Sequence, residues 1–371
     1  MKIAYLSTFY PYRGGIAQFN ASLFKEFEKY NETKAFTFSR QYPDLLFPGS
    51  SQLVSETDIA EKIDAERILD TINPFSYLSA ASKINKFNPD LLITKFWMPF
   101  FAPSLGSVTR RLKNTKRISI LDNVIPHEKR IGDMQLINYF LNSNDAFIAM
   151  SRTVQNDLLS LKPNAKSILI PHPLYDHFGA KIDKEEACKK LNIPQDNKIL
   201  LFFGFIRDYK GLDLLIEAMS RLGDTYHLVI AGEVYGDYSK YEKQIDGLGI
   251  RDKVSNFVRY ISDEEVPLFF SCADVCILPY KTATQSGIVG ISYHFDLPII
   301  STDVGGLREM IGDFNTGLMV ESPNSELIAN AINEYFSSGK IEEYKQNILK
   351  YKSLANWKNL AREIIDFSLS L

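Results

Sequence analysis

A chain of 371 residues exceeds one ordinary domain and suits two, each long enough to bury its own core. Hydrophobic residues at 45% and charged residues at 23% fit a globular enzyme, and a net charge of -3 argues against a nucleic-acid partner. No apolar run reaches the ~18 residues of a membrane span, and the N-terminus reads as a strand rather than a signal peptide. The three cysteines, Cys188, Cys272 and Cys276, read as small core residues of a reducing compartment, so a cytoplasmic protein is expected.

Lys2 to Leu6 is an apolar strand that runs into Gly14-Gly15, followed by Phe19, Leu23 and Phe27 at helical spacing. Strand, glycine loop and helix open a doubly wound sheet. The two glycines either let backbone approach a ligand or simply make a tight turn. Residues 36 to 80 show little periodicity, with Arg40-Gln41-Tyr42-Pro43 and Phe47-Pro48-Gly49, and read as a long loop at a cleft edge. Asp90 to Thr94 is the next strand. Lys95 to Phe101 then forms an apolar patch that either packs in a core or offers a face to lipid or sugar.

Arg110, Arg111, Lys113, Lys116 and Arg117 cluster near a helix end. They make a solvated helix face or a contact for anionic lipid, which would place the protein at the inner face of a membrane. Arg117 to Leu121 is a strand ending in Asp122-Asn123, with His127 shortly after. Both Asp122 and His127 fall where a sheet's carboxyl edge meets a cleft, within reach of a reacting hydroxyl. Ala146 to Met150 is another strand, and Ser151 caps the helix that follows. Pro171-His172-Pro173 and the segment to about Lys190 read as a linker.

The second half repeats this grammar. Lys198 to Phe203 is a strand, Gly204 to Gly211 a polar loop holding Arg207 and Lys210, and Leu212, Leu215, Ile216 and Met219 one face of a helix. A guanidinium fork and an ammonium three residues apart suit a diphosphate that gathers charge as it leaves. Val275 to Leu278 is a buried strand closed by Pro279, and a helix opens at Ser286-Gly287 with Ile288, Ile291 and Phe295 on one side. Such a start points free N–H groups and a positive dipole end above the sheet, where phosphate binds. The domains expected are 1–175 with the last helix, 354–371, and 176–353.

These pieces carry a resemblance over nearly the whole chain. The N-terminal strand with Gly14-Gly15, the GFIRDYKGLDLLIEAM segment, the Ala231-Gly232-Glu233 turn, the ADVCILPY strand and GGLREMI with GLMVESPN are similar to the GT-B fold glycosyltransferases of the large retaining family 4, glycosyl transferases group 1. The resemblance implies two Rossmann-like domains facing each other across a cleft, with the last helix returning to the first domain. It implies an enzyme that moves a hexose-type sugar from a UDP- or GDP-linked donor to a glycan or lipid-linked glycan, with retention, no metal and no further cofactor. Arg207 and Lys210 would bind the donor diphosphate, as would the amides of Ser286, Gly287 and Ile288, and Tyr260-Ile261 the base.

One departure matters. The family often has Glu-x7-Glu here, yet aligning on Gly287 gives Thr284 and Ser292, and aligning on Pro298 gives Ala283 and Ile291. The turn is similar to that of a subgroup with Ala-Thr-Gln-Ser-Gly, which implies neutral hydrogen bonds from Thr284 and Gln285 to the sugar. Asp122 stands where the family frequently has histidine. Two other readings stay open: a sugar-nucleotide epimerase or hydrolase using Asp122 with His127 or Glu309, and a non-catalytic subunit that binds nucleotide-sugar.

Overall fold

Most strands of this chain are short and nearly all apolar, as parallel strands covered by helices on both faces must be. The computed structural model describes residues 1–43, 52–54, 61–126, 130–174, 178–234, 236–283 and 286–371. They fall into two compact units, Met1–Pro173 with Ala355–Leu371, and Leu174–Leu354.

The first unit runs β1 (Lys2–Leu6), α1 (Gly15–Glu28), β2 (Glu32–Arg40), β3 (Ala65–Asp70), α2 (Pro74–Phe87), β4 (Leu91–Phe96), α3 (Ala102–Thr109), β5 (Lys116–Leu121), α4 (Asp133–Leu141), β6 (Ala146–Ala149), α5 (Arg152–Leu161) and β7 (Ser167–Leu169). The strands form one parallel sheet in the order 3-2-1-4-5-6-7. One face carries Leu6, Phe36, Phe38, Phe96 and Leu121 against α2, α3 and α4. The other carries Ile3, Tyr5, Ile93, Ile118 and Ile148 against α1 and the last helix of the chain.

Residues 36 to 80 are not the loop that their weak periodicity suggests. They hold most of β2, then β3 and the start of α2, while 44–51 and 55–60 lie outside the described residues. In β2 the stretch Ala35 to Phe38 is buried throughout, so no two-residue alternation exists to be read. Its one polar member, Thr37, is satisfied by accepting the Phe9 N–H at 3.1 Å. Asn73 caps α2 by accepting from the Phe75 N–H, and Pro74 takes the first helical position, where no N–H is needed. Ser151 caps α5 in the same way, accepting from the Val154 N–H.

The second unit runs α6 (Lys184–Leu191), β8 (Lys198–Phe203), α7 (Leu212–Met219), β9 (Tyr226–Ala231), α8 (Ser239–Gly247), β10 (Val254–Phe257), α9 (Val266–Cys272), β11 (Val275–Leu278), α10 (Gly287–His294), β12 (Ile299–Thr302), β13 (Gly317–Val320), α11 (Ser325–Ser337) and α12 (Ile341–Leu354). Its parallel sheet has the order 10-9-8-11-12-13, which reverses between β8 and β11 just as the first sheet reverses between β1 and β4. The final helix, α13 (Trp357–Ser370), rejoins the first unit, where Leu360 and Ile364 pack beneath α1. Phe19 of α1 meets Trp357 edge to face, with ring centres 5.1 Å apart. Cys188, Cys272 and Cys276 are buried free thiols. No helix among the described residues is long and apolar enough to cross a membrane.

Candidate active site

Ligands of open parallel sheets bind outside the carboxyl ends of the strands at the point where strand order reverses. In the second unit that point lies between β8 and β11, and the loops leaving these two strands hold Arg207, Lys210 and Ser286. The loops are locked together by backbone. A Cβ on Gly211, whose φ is +69°, would stand 1.9 Å from the Pro279 carbonyl oxygen, so only glycine fits. The Lys281 N–H donates to the Tyr209 carbonyl at 2.7 Å, and Lys281 Nζ pairs with Asp213 at the same distance.

Lys210 is buried, at 8% exposure, and none of its neighbours among the described residues is a carboxylate. Burial, with the Arg207 charge adding to it, pulls its ammonium down to about 8. The ammonium lies 5.5 Å from the centre of the Tyr280 ring, and the Tyr280 hydroxyl is 3.1 Å from the Ser286 hydroxyl. Tyr280 therefore joins the lysine to the start of α10. Thr302, at the end of β12, steadies it by donating to the Tyr280 carbonyl at 2.6 Å. Buried charge without a counter-charge is costly, and an anion supplied from solution removes that cost.

Ser286 is the N-cap of α10 and makes no side-chain cap hydrogen bond, which leaves the first N–H groups of the helix open to a ligand. A side chain at Gly287 would meet nothing within 4 Å, so the approach is clear. The buried face of α10 is Val289, Ser292 and Tyr293, not the expected Ile288, Ile291 and Phe295 set, because the helix meets its sheet about one residue further round. Phe295 is buried just beyond the helix end, while Ile288 and Ile291 are half-buried. Ser292 donates to the Leu297 carbonyl at 2.9 Å from inside the core, so that hydroxyl cannot serve a ribose. Thr284 and Gln285 lie outside the described residues.

Arg207 is exposed, with its guanidinium 5.8 Å from the Phe205 ring centre. The neighbouring Asp208 is taken up by Lys240 and Tyr241. The expected base-binding turn has an exposed Tyr260 and a buried Ile261. Arg259 and Ser262 both hydrogen-bond Glu265 across this turn, and the Arg259 contact above all holds the Glu265 carboxyl down at about 2. The turn is thus braced while the Tyr260 ring faces solvent.

In the first unit Gly14, with φ +106°, is the N-cap of α1, and a side chain at Gly14 or Gly15 would meet nothing within 4 Å. Asp122 follows β5, and its N–H donates to the Phe96 carbonyl at 2.9 Å. The parallel register pairs Lys95 with Ile120, so Asp122, two residues on, faces the same side as Lys95. Lys95 lies inside β4 rather than in a patch after it. Its Nζ donates to Asp122 Oδ1 at 2.5 Å, with side-chain exposures of 2% and 23%. Burial lowers the Lys95 ammonium and the Asp122 charge works against that shift. Nothing in the local sequence around Lys95 signals this pair, since the lysine sits among aromatics. His127 lies outside the described residues.

The basic cluster is largely engaged within the first unit. The Arg110 guanidinium lies 4.3 Å from the Tyr139 ring centre and donates to Ser143, and Arg111 donates to the Ser107 carbonyl. Lys116 donates to the Ser368 carbonyl at the end of α13, and Arg117 pairs with Asp145 at 2.5 Å. Arg110, Arg111 and Lys113 are nonetheless exposed, while Lys116 and Arg117 are half-buried. Glu309, which the epimerase or hydrolase reading would use, belongs to the second unit, and Asp122 to the first.

Residues 183–354, nearly the whole second unit, match the family described as glycosyl transferases group 1. An uncharacterised glycosyltransferase of Methanocaldococcus jannaschii is 30% identical over 232 residues, covering 59% of this chain and 58% of that protein. The D-inositol 3-phosphate glycosyltransferase of Corynebacterium urealyticum is 24% identical over 270 residues, covering 67% and 61%. The chain thus spans about six-tenths of these curated relatives. Among solved structures, a glycosyltransferase from Rickettsia africae superposes with a TM-score of 0.71 at 20% identity, covering 99% and 98% of the two chains. HepE of Anabaena, solved in complex with UDP, gives 0.68 at 15% identity with both chains fully covered. At these identities the likeness shows the fold, which is GT-B, two Rossmann-like parallel-sheet domains with helices.

Proposed function

We propose that this protein is a glycosyltransferase that moves a hexose-type sugar from a UDP- or GDP-linked donor to a glycan or lipid-linked glycan, with retention of anomeric configuration and without a metal. The observation that carries the proposal is the buried Lys210 ammonium, which no carboxylate among the described residues pairs with, at the switch point of a parallel sheet and linked through Tyr280 to an open helix start. The match to glycosyl transferases group 1 and the glycosyltransferase relatives support the transfer of a sugar, and HepE, a structural neighbour, is solved in complex with UDP.

In this reading the second unit holds the donor. Lys210, Arg207 and the amides of Ser286, Gly287 and Ile288 take the diphosphate, Tyr260-Ile261 the base, and Thr284 with Gln285 the sugar. The bond from the anomeric carbon to the β-phosphate oxygen breaks, and a bond to the acceptor hydroxyl oxygen forms on the same face. The hydroxyl proton leaves with the nucleoside diphosphate. Fixed positive groups at the departing oxygen lower the barrier without reorganising, the usual source of electrostatic catalysis. The first unit takes the acceptor, with Gly14-Gly15 admitting close backbone approach and Asp122 accepting a hydrogen bond from an acceptor hydroxyl.

Calorimetric titration with UDP, GDP and their common sugar conjugates, repeated on Lys210→Ala, tests the donor site. Micromolar binding to one nucleotide, lost in the variant, is expected. Binding that survives Lys210→Ala would remove the diphosphate role. Transfer to glycan acceptors in the presence of EDTA, with the anomeric proton coupling of the product read by NMR, tests metal independence and retention.

A further inference from the structure

Leu91, Ile93 and Lys95 occupy alternate positions of β4, on the face that α1 and α13 cover. Leu91 and Ile93 are fully buried there, and Lys95 is 1% exposed. A buried ion pair is weak evidence of a stabilising role, because exchanging both its members for packed apolar side chains is often neutral or stabilising. Packing therefore does not account for the lysine.

Its contacts do. The Lys95 ammonium is fixed between Asp122 Oδ1, at 2.5 Å, and the Phe19 ring, whose centre is 3.5 Å away. Nearby, the Tyr5 hydroxyl donates to Asn20 Oδ1 at 2.6 Å, and His172 Nδ1 lies 2.7 Å from the Pro173 carbonyl. Asn20 in turn donates to the Ser7 hydroxyl and the Thr8 carbonyl, so it offers nothing to Asp122. One carboxylate oxygen of Asp122 is thereby committed, and Oδ2 has no hydrogen-bond partner among the described residues. The side chain is 23% exposed at the carboxyl edge of the first sheet.

We infer that Lys95 is a positioning residue for the transfer reaction: by fixing Oδ1 it aims Oδ2 of Asp122, an atom that only accepts hydrogen bonds, at a hydroxyl of the acceptor. The inference rests on the reading of Asp122 given under the proposed function. It assigns Lys95 no contact with either substrate.

A double-mutant cycle on Lys95→Met and Asp122→Asn tests it, with turnover, acceptor KM and UDP affinity measured for each variant. Lys95→Met is expected to lower kcat by roughly a hundredfold, as a misplaced contact group does, while UDP affinity stays within about twofold of wild type. The double variant should be no slower than Asp122→Asn alone, and Lys95→Arg should recover part of the loss. Losses that multiply in the double variant, or near-normal turnover in Lys95→Met, would overturn the inference. Where Lys95→Met does not fold, the comparison of the double variant with Asp122→Asn decides alone: equal turnover supports the inference, a further drop overturns it. A wild-type chain that binds no nucleotide and transfers no sugar is a different outcome, which sinks the functional reading and the role of Lys95 with it.

Discussion

A Cβ on residue 204 would stand 3.3 Å from Lys210 Nζ and 3.0 Å from Ile288 Cδ1, so Gly204 keeps open the space between the buried ammonium and the first turn of α10. Its φ of +96° adds a backbone reason for glycine. Gly204→Ala is expected to lower UDP affinity by about tenfold and to cost about 1–3 kcal/mol of stability for a side chain forced into that conformation. Calorimetry and urea unfolding read the two effects separately. Unchanged affinity would mean that the anion sits away from this gap.

Lys210 gives the site a pH signature. With the folded ammonium near 8 and the ordinary value at 10.5, the free protein carries the full cost of the buried charge below about pH 8. Between those values the unfolded chain binds a proton that the folded one has lost, so this group's contribution to stability improves as pH rises through that window. Nucleotide affinity moves the other way, since the neutral amine attracts no diphosphate. The Kd for UDP should weaken by about tenfold from pH 7 to about 9.5. Titrations near pH 8.5 in buffers of different ionisation enthalpy should show proton uptake on binding. A Kd flat across that range would argue that the lysine does not meet the diphosphate.

Gly211 serves the fold rather than the ligand. Its Cβ would overlap the Pro279 carbonyl oxygen, and backbone cannot step aside as a flexible side chain does. Gly211→Ala should destabilise the second unit by about 2–4 kcal/mol, within the range of severe overpacking and strain, and lower the thermal midpoint. A variant with wild-type stability would show that the two loops are not locked at this point.

Local signals in the sequence reach some of this site and stop short of the rest. The apolar runs at Lys198–Phe203 and Val275–Leu278 are bounded by Gly204 and Pro279, and a Ser-Gly start to the following helix is a feature of consecutive residues. Arg207 and Lys210 are three apart in one loop, so their kinship needs no tertiary knowledge. Lys95 and Asp122 are 27 residues apart, and only the parallel register of β4 with β5 brings them to one face. A lysine followed by aromatics looks like the end of a strand until its ion partner is known. In β2 the buried Thr37 breaks the apolar pattern because its hydroxyl serves the Phe9 N–H, a bond that only the folded chain has. The role of Tyr280 was hidden for a similar reason: its partners are Lys210, Ser286 and the β12 residue Thr302.

The ring of Tyr260 is exposed on a turn braced by Arg259 and Glu265, so the base contact proposed for it can be tested apart from the phosphate contacts. Stacking on a base is worth about 1–3 kcal/mol by alanine substitution in other nucleotide sites. Tyr260→Ala should therefore weaken UDP binding by roughly tenfold or more and leave pyrophosphate binding unchanged. Equal losses for both ligands would point to damage of the turn instead of a missing base contact.

Gly15 offers the converse of Gly211. It opens α1 without a left-handed φ, and a side chain there would meet nothing within 4 Å. Alanine in such a place restricts the unfolded chain and strains nothing in the folded one, so Gly15→Ala should leave stability unchanged or raise it by about 0.4–1 kcal/mol. A methyl group on backbone that approaches a ligand takes up the space the ligand needs, and turnover should fall by tenfold or more. Stability and turnover thus move in opposite directions if Gly14-Gly15 meets a substrate. If turnover holds while stability rises, the pair is only a turn, and the first unit engages its ligand elsewhere on the sheet edge.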